Sequence, residues 1–196
     1  MANQRRCAAA RCLTAVLLAI AVLTPAAFAG TASTRLGTSS AYLCYHVAQY
    51  RGNLHAGLDE CNHALREDVL AKAERAATFV NRGIVKVNLH DYAGALADYN
   101  AAIALIPGLG EAFVDRGLLY VRQLETQELA ITDITKGLEL GTRDEAAAYH
   151  GRALAYEAVG RIADAYRDFK RAAELSPDWA EPKKELKRFT VHRASE

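Results

Sequence analysis

Along the chain, apolar and polar positions alternate with the period of a helix rather than a strand. From Ala76 to Asn88 runs one amphipathic helical pattern, His90-Asp91-Tyr92 reads as a turn, and Tyr92 to Ile106 is a second helical pattern closed by Pro107-Gly108. The pair then repeats. Ala95, Ala130 and Ala165 are 35 residues apart, and Asp98, Asp133 and Asp168 keep the same spacing. Phe79-Val80-Asn81-Arg82-Gly83 returns as Phe113-Val114-Asp115-Arg116-Gly117 and again as Tyr149-His150-Gly151-Arg152-Ala153. Arg82, Arg116 and Arg152 are separated by 34 and 36 residues, so a slip of one residue between the halves of a unit is taken up in the turns. A chance amphipathic bundle would show the helical period without this longer one.

These positions carry a resemblance. Phe79, Gly83, Tyr92, Ala95, Tyr99, Ala102 and Pro107, with Lys86 as the one misfit, resemble the tetratricopeptide repeat, a helix-turn-helix unit of about 34 residues. The last unit matches with Tyr149, Ala153, Tyr156, Gly160, Ile162, Ala165, Phe169, Ala172 and Pro177. The middle one keeps Phe113, Gly117, Tyr120, Ala130 and Ile134 but has Gly137 and Thr142 at the last two places and one extra residue near Thr126. Glycine or alanine where helix A crosses helix B lets the backbones approach, and neighbouring aromatics fill the wedge beside the crossing. The implied fold is all-α, an α-solenoid.

Upstream, Thr38 to Val69 reads as a degenerate first unit, anchored on Gly52, Leu54, Gly57, Cys61 and Ala64-Leu65. In that register Cys44 takes the helix A place held by arginine elsewhere, and Cys61 the helix B place of Tyr99 and Phe169. The resemblance implies that these places face each other, and hence a Cys44–Cys61 disulfide. After Pro177, Trp179, Leu186 and Phe189 share one face of a final helix whose lysines point to water, as expected of a cap that ends the stack. The expected organisation is a signal peptide over 1–29, a linker over 30–37, the degenerate unit over 38–75, repeats over 76–109, 110–145 and 146–177, a capping helix over 178–190 and a tail over 191–196.

Composition changes this picture only after the N-terminus is set apart. Arg5, Arg6 and Arg11 precede an apolar run from Leu13 to Leu23, followed by Pro25 and Ala27-Phe28-Ala29, the layout of a secretory signal with cleavage after Ala29. The whole chain of 196 residues has 24 basic and 23 acidic residues; without the first 29 it keeps 21 basic and 23 acidic, a formal charge of −2. Such a balance excludes a dominant nucleic-acid partner. Export, to the periplasm or outside the cell, exposes Cys44 and Cys61 to oxidising conditions. An uncleaved membrane anchor is the alternative, opposed by Pro25 and the Ala-x-Ala site.

Arg82, Arg116 and Arg152 recur beside Asp98, Asp133 and Asp168, and structural ion pairs between facing helices explain the recurrence better than a ligand-binding arginine ladder. Cys44-x-His46 and Cys61-x-His63 do not read as a metal site, because residues two apart on a helix point to nearly opposite sides. No catalytic or phosphate-binding motif is present, and no cofactor is expected.

The resemblance places helix A on an inner groove. Its exposed positions would be Ala77, Val80, Asn81, Ile84, Val87 and Asn88 in the second unit, and Glu111, Val114, Asp115, Leu118, Val121 and Arg122 in the third. The fourth would add His150, Gly151, Leu154, Glu157 and Ala158. An apolar floor with amides and both signs of charge suits a peptide or a partner helix. Only Asn81 matches a place in the Lys/Asn clamp with which some relatives hold an acidic chain terminus. The expected function is a non-catalytic adaptor for a protein or peptide partner; an envelope-biogenesis enzyme or its accessory subunit is the rival, and a homodimer by edge-to-edge stacking a further arrangement.

Overall fold

The structure, a computed structural model, describes residues 39–122 and 126–189. The N-terminal signal pattern with its cleavage site, the 30–37 linker, the start of the first unit at Thr38 and the 191–196 tail lie outside the described residues, as do 123–125 beside the extra residue expected near Thr126. The helices are α1 (Ser40–Tyr50), α2 (Leu54–Glu67), α3 (Lys72–Asn88), α4 (Tyr92–Leu105), α5 (Gly110–Val121), α6 (Gln127–Leu140), α7 (Glu145–Ala158), α8 (Ile162–Leu175) and α9 (Ala180–Leu186). No strand occurs among the described residues.

Local chemistry starts several of these helices. Ser39, Asn53, Asp91 and Asp144 each accept a hydrogen bond from the backbone N–H three residues on, satisfying a donor that the first helical turn leaves orphaned. Helix α3 begins at Lys72, four residues before the apolar pattern starts, because Glu74 reaches back to accept from the Ala71 N–H. The connection from the first unit is correspondingly shorter than the sequence suggested. His90 and Gly160 hold equivalent turn places and both have positive φ, 63° and 79°. Glycine meets that demand at no steric cost, and His90 does so with its Nδ1 2.9 Å from the Tyr92 hydroxyl.

Helices pair as α1/α2, α3/α4, α5/α6 and α7/α8, and each pair stacks on the next. The core is a string of small clusters at these crossings, with Tyr99, Ile134 and Phe169 among its fully buried side chains. A Cβ on Gly83 would lie 2.5 Å from the Tyr99 ring, and one on Gly117 2.5 Å from Ile134 Cγ1. In the third unit the helices approach backbone to backbone: a Cβ on Gly110 would overlap the Gly141 carbonyl oxygen and lie 2.8 Å from that of Gly137. Gly137, in place of the alanine used by the other units, permits this approach. Gly110→Ala is therefore expected to lower stability by about 2–3 kcal/mol, since backbone cannot yield as a side chain can. An unchanged urea midpoint would show slack at this crossing.

The first unit is closed differently. Cys44 and Cys61 are bonded and fully buried. Their Cα atoms are 4.7 Å apart, a close approach of the kind that Gly83 makes to Tyr99 and Gly117 to Ile134. Cys44 thus takes the small-residue crossing place, one position along from the arginine place assigned from sequence. The turns after α1 and α3 have three residues each, but the left-handed residue comes first in the one, at Arg51, and second in the other, at His90.

At the other end, α9 covers the last pair. Leu186 and Phe189 pack against the cluster of Ala153, Ala165 and Phe169, and the Phe189 ring lies 5.8 Å from that of Phe169. Arg188 pairs with Glu157, and Lys183 donates to the Pro177 carbonyl.

Candidate functional site

Each recurring arginine lies between three partners. Arg82 donates through Nε and Nη2 to both Asp98 oxygens, at 2.9 and 2.6 Å, and through Nη1 to Asn62 Oδ1 in the preceding pair. Arg116 binds Asp133 twice and Asn100, and Arg152 binds Asp168 twice and Thr135. The guanidinium carbons lie 5.3–5.5 Å from the rings of Phe79, Phe113 and Tyr149, each one helical turn earlier. Asp98, Asp133 and Asp168 are buried. The sequence indicated the arginine–aspartate pairing; the third partner, always the residue after Cys61, Tyr99 or Ile134, went unnoticed. It makes the arginine a clip between successive units. Lys86, the misfit of the aromatic pattern, reaches Asp98 Oδ2 at 2.8 Å. These arginines are consumed by structure, which leaves the groove as the candidate site.

There, α3 and α5 form the floor, with α1 on one side and the α6–α7 turn on the other. They enclose an open cavity of about 370 Å³, lined by Ala77, Val80, Asn81, Ile84, Glu111, Val114, Asp115 and Leu118 among the expected positions. A smaller cavity of about 140 Å³ continues beside Ile84, Val87, Asn88, Asp115, Leu118 and Arg122. Seventeen residues were expected on the groove, and eleven line these cavities. Val80 and Val114 are only 7% and 4% exposed, so they belong to the core and show the cavity an edge. The other six, Val121 and all five from the fourth unit, line neither. His150 packs between Phe169, edge-on, and Trp179, tilted, Leu154 packs in the cluster under α9, and Glu157 is held by Arg188. The capping helix covers the inner face of the last unit, which a repeat-by-repeat register does not anticipate. Burial there holds the His150 imidazole below its usual pKa, against the opposing pull of Glu185 and Glu181.

Sequence reasoning missed Tyr45 and Gln49 of α1, whose unit is degenerate, and Thr142, Arg143, Asp144 and Ala147 from the turn into α7. The Asp144-x-x-Ala147 capping pattern was a readable sign that Asp144 opens a helix, but not that it faces the groove.

The groove carries an electrostatic cost. Glu111 and Asp115 are one turn apart on α5, and Asp144 faces them. Arg143 meets Glu111 at 3.3 Å but is 86% exposed. Asp115 has no hydrogen bond or ion pair among the described residues, and burial, then Glu111 and Asp144, push its pKa up to about 7. The folded chain therefore keeps a proton between about pH 4 and 7 that the unfolded chain has released, and stability from this group falls as pH rises through 7. Asp115→Asn should be more stable than the parent at pH 8 by on the order of 1 kcal/mol, discounted because Asp115 is partly open to solvent, and equal to it near pH 4. Paired denaturation curves at the two pH values would check this, and a variant weaker than the parent at pH 8 would contradict it.

Residues 146–179 match the family model described as tetratricopeptide repeat. That segment is a tetratricopeptide repeat, and the chain has the tetratricopeptide-type solenoid fold. The chain is 29% identical over 124 residues to mouse (Mus musculus) serine/threonine-protein phosphatase 5, covering 61% of this chain and 24% of the phosphatase, so it spans about a quarter of that relative's length. Among solved structures, the first tetratricopeptide domain of Spaghetti (RPAP3), bound to the HSP90 peptide SRMEEVD, is similar with a TM-score of 0.55 and 24% identity, over 59% of this chain and 90% of that one. MamA from Desulfovibrio magneticus RS-1 is similar at a TM-score of 0.60 and 20% identity, over 76% of this chain and 82% of MamA. A tetratricopeptide repeat protein from Parabacteroides merdae reaches 0.58 at 25% identity, over 75% of this chain and 56% of that one. Repeats of this family are an interaction module, and the chain has the architecture of a protein–protein interaction scaffold.

Proposed function

We propose that this chain is a non-catalytic scaffold, exported to the periplasm or outside the cell, that holds a segment of a partner polypeptide in the groove between α1, α3, α5 and the start of α7. The observation that carries the reading is the 370 Å³ cavity with an apolar floor and a few amides and carboxylates at its rim. The peptide complex of the Spaghetti domain supports it as a precedent on the same fold. Export is supported by the N-terminal sequence pattern and by the paired cysteines, since buried disulfides persist where the surroundings are oxidising.

Asn81→Trp places an indole in the cavity without changing charge, whereas substituting Leu154 would disturb the packing under α9. The parent and Asn81→Trp proteins, each carrying a photocrosslinker at Gln49, should differ in the polypeptides they capture from an envelope extract. Identical capture would move the binding surface away from the groove. N-terminal sequencing of the protein from that extract should begin at Gly30; a blocked or intact Met1 would argue for a retained anchor.

A further inference from the structure

We propose that the groove selects polypeptide segments that place a lysine or arginine side chain beside an apolar one, with the cation seated against Asp115. The inference rests on the groove reading above and specifies the chemistry of the occupant. Carboxylates of Glu111, Asp115 and Asp144 converge on the cavity, above a floor of Val80, Ile84, Val114 and Leu118. Among the charged side chains lining it, Arg143 is the sole cation, and it is directed to Glu111 from an exposed position. Asp144 is in part committed to the N-cap of α7, where it accepts from the Ala147 N–H. Asp115 is left uncompensated, at the wall shared by both cavities. Like charges so close on one face repel, and an incoming cation relieves that repulsion while its aliphatic stem covers the apolar floor.

An acidic terminus would meet the opposite field. The groove offers Asn81, Gln49 and Arg143 to a carboxylate, but three carboxylates oppose it. Arg51 and Arg122 border only the smaller cavity. The titratable and charged groups around Asp115 are Tyr45 from α1 and Arg51 just after it, Tyr99 from α4, Glu111 and Arg122 on α5, and Arg143 and Asp144 from the turn into α7. With the Asp115 carboxyl titrating near 7, a bound cation favours its ionised form, so binding tightens as pH rises through that value and releases a proton below it.

Two end-blocked seven-residue peptides test this on the full chain by calorimetry at pH 8. One has two lysines and two leucines, the other has glutamates in place of the lysines, and SRMEEVD serves as an acidic comparison. The lysine peptide should bind at least about tenfold tighter than either acidic peptide. Asp115→Asn should weaken it by about fivefold, and lowering the pH to 5.5 should weaken the parent but not the variant. Asn81→Trp should reduce binding of the lysine peptide as well. Acidic peptides that bind equally well, lost in Asn81→Trp but indifferent to Asp115→Asn, would overturn the charge selection and leave the groove reading standing. Binding unaffected by Asn81→Trp would fail the groove reading itself, and no saturable binding of the lysine peptide below about millimolar would overturn the selection. A photocrosslinker at Gln49 on the chain alone gives a further outcome: a link to its own residues before Ser39, or to a second copy, would replace the separate partner by this chain.

Discussion

Asp98→Ala should be the most damaging single substitution in the arginine clips, lowering stability by about 4 kcal/mol, or very roughly 10 °C in Tm for a domain of this size. Asp98 is 3% exposed and neutralises two cations, Arg82 through two hydrogen bonds and Lys86 through Oδ2 at 2.8 Å. Alanine leaves both cations facing a buried hole, and desolvation that was balanced becomes a net cost. Asp133 and Asp168 each serve one arginine, so Asp133→Ala and Asp168→Ala should cost less. Replacing the whole group, with Asp98→Leu, Arg82→Met and Lys86→Tyr together, should recover much of the loss, because an apolar cluster of similar volume needs no charge compensation. Chemical denaturation of the five proteins would rank them. Equal losses at the three aspartates would mean that Lys86 contributes nothing, and a combined variant as weak as Asp98→Ala would mean that the clips hold the units by more than charge.

Opening the Cys44–Cys61 bond should cost about 3 kcal/mol, the chain entropy of a loop of roughly 16 residues. The first unit depends on it more than that figure conveys. It has Leu43 and Glu60 where later units place the arginine and aspartate, so it lacks a clip within its own helix pair and is tied onward by the buried cluster of Cys44, Ala48 and Cys61 with Val85 and by hydrogen bonds from Arg82 to Asn62 and from Arg75 to the Leu65 carbonyl. A Cys44→Ala/Cys61→Ala variant should lose protection from hydrogen exchange in α1 and α2 first, with a Tm roughly 6–12 °C below the oxidised parent. Both sulfurs are fully buried, so reductant should act slowly on the folded chain and quickly near the melting transition. A Tm insensitive to the substitution, or exchange that rises uniformly through α8, would contradict this account.

Helix order and the repeat were legible because they depend on local chemistry. The period of apolar residues, the Asp91 cap and the small residues at 95, 130 and 165 act within a few residues or recur at a fixed spacing, and a reader of the chain meets them directly. The arginine–aspartate pairs were legible for the same reason. Their third partners were not, since asparagine, asparagine and threonine look alike only once the guanidinium is seen to need an oxygen there. The groove was legible in the two central units and not at its ends. His150, Leu154 and Glu157 carry helix A spacing, yet a helix from outside the repeat covers them.

By itself the sequence determined an all-α chain of repeated helix pairs, the positions where helices cross, and the residues that hold each pair together. The tertiary structure decided what those rules leave open: which small residue Cys44 replaces, how far the cap reaches, and that Asp144 from a turn faces Glu111 and Asp115 across one cavity. The reason is the range of the forces involved. Helix formation and crossing are specified by neighbours in sequence or by a repeated spacing, whereas the field in the groove sums charges from elements whose separation in the chain follows no period.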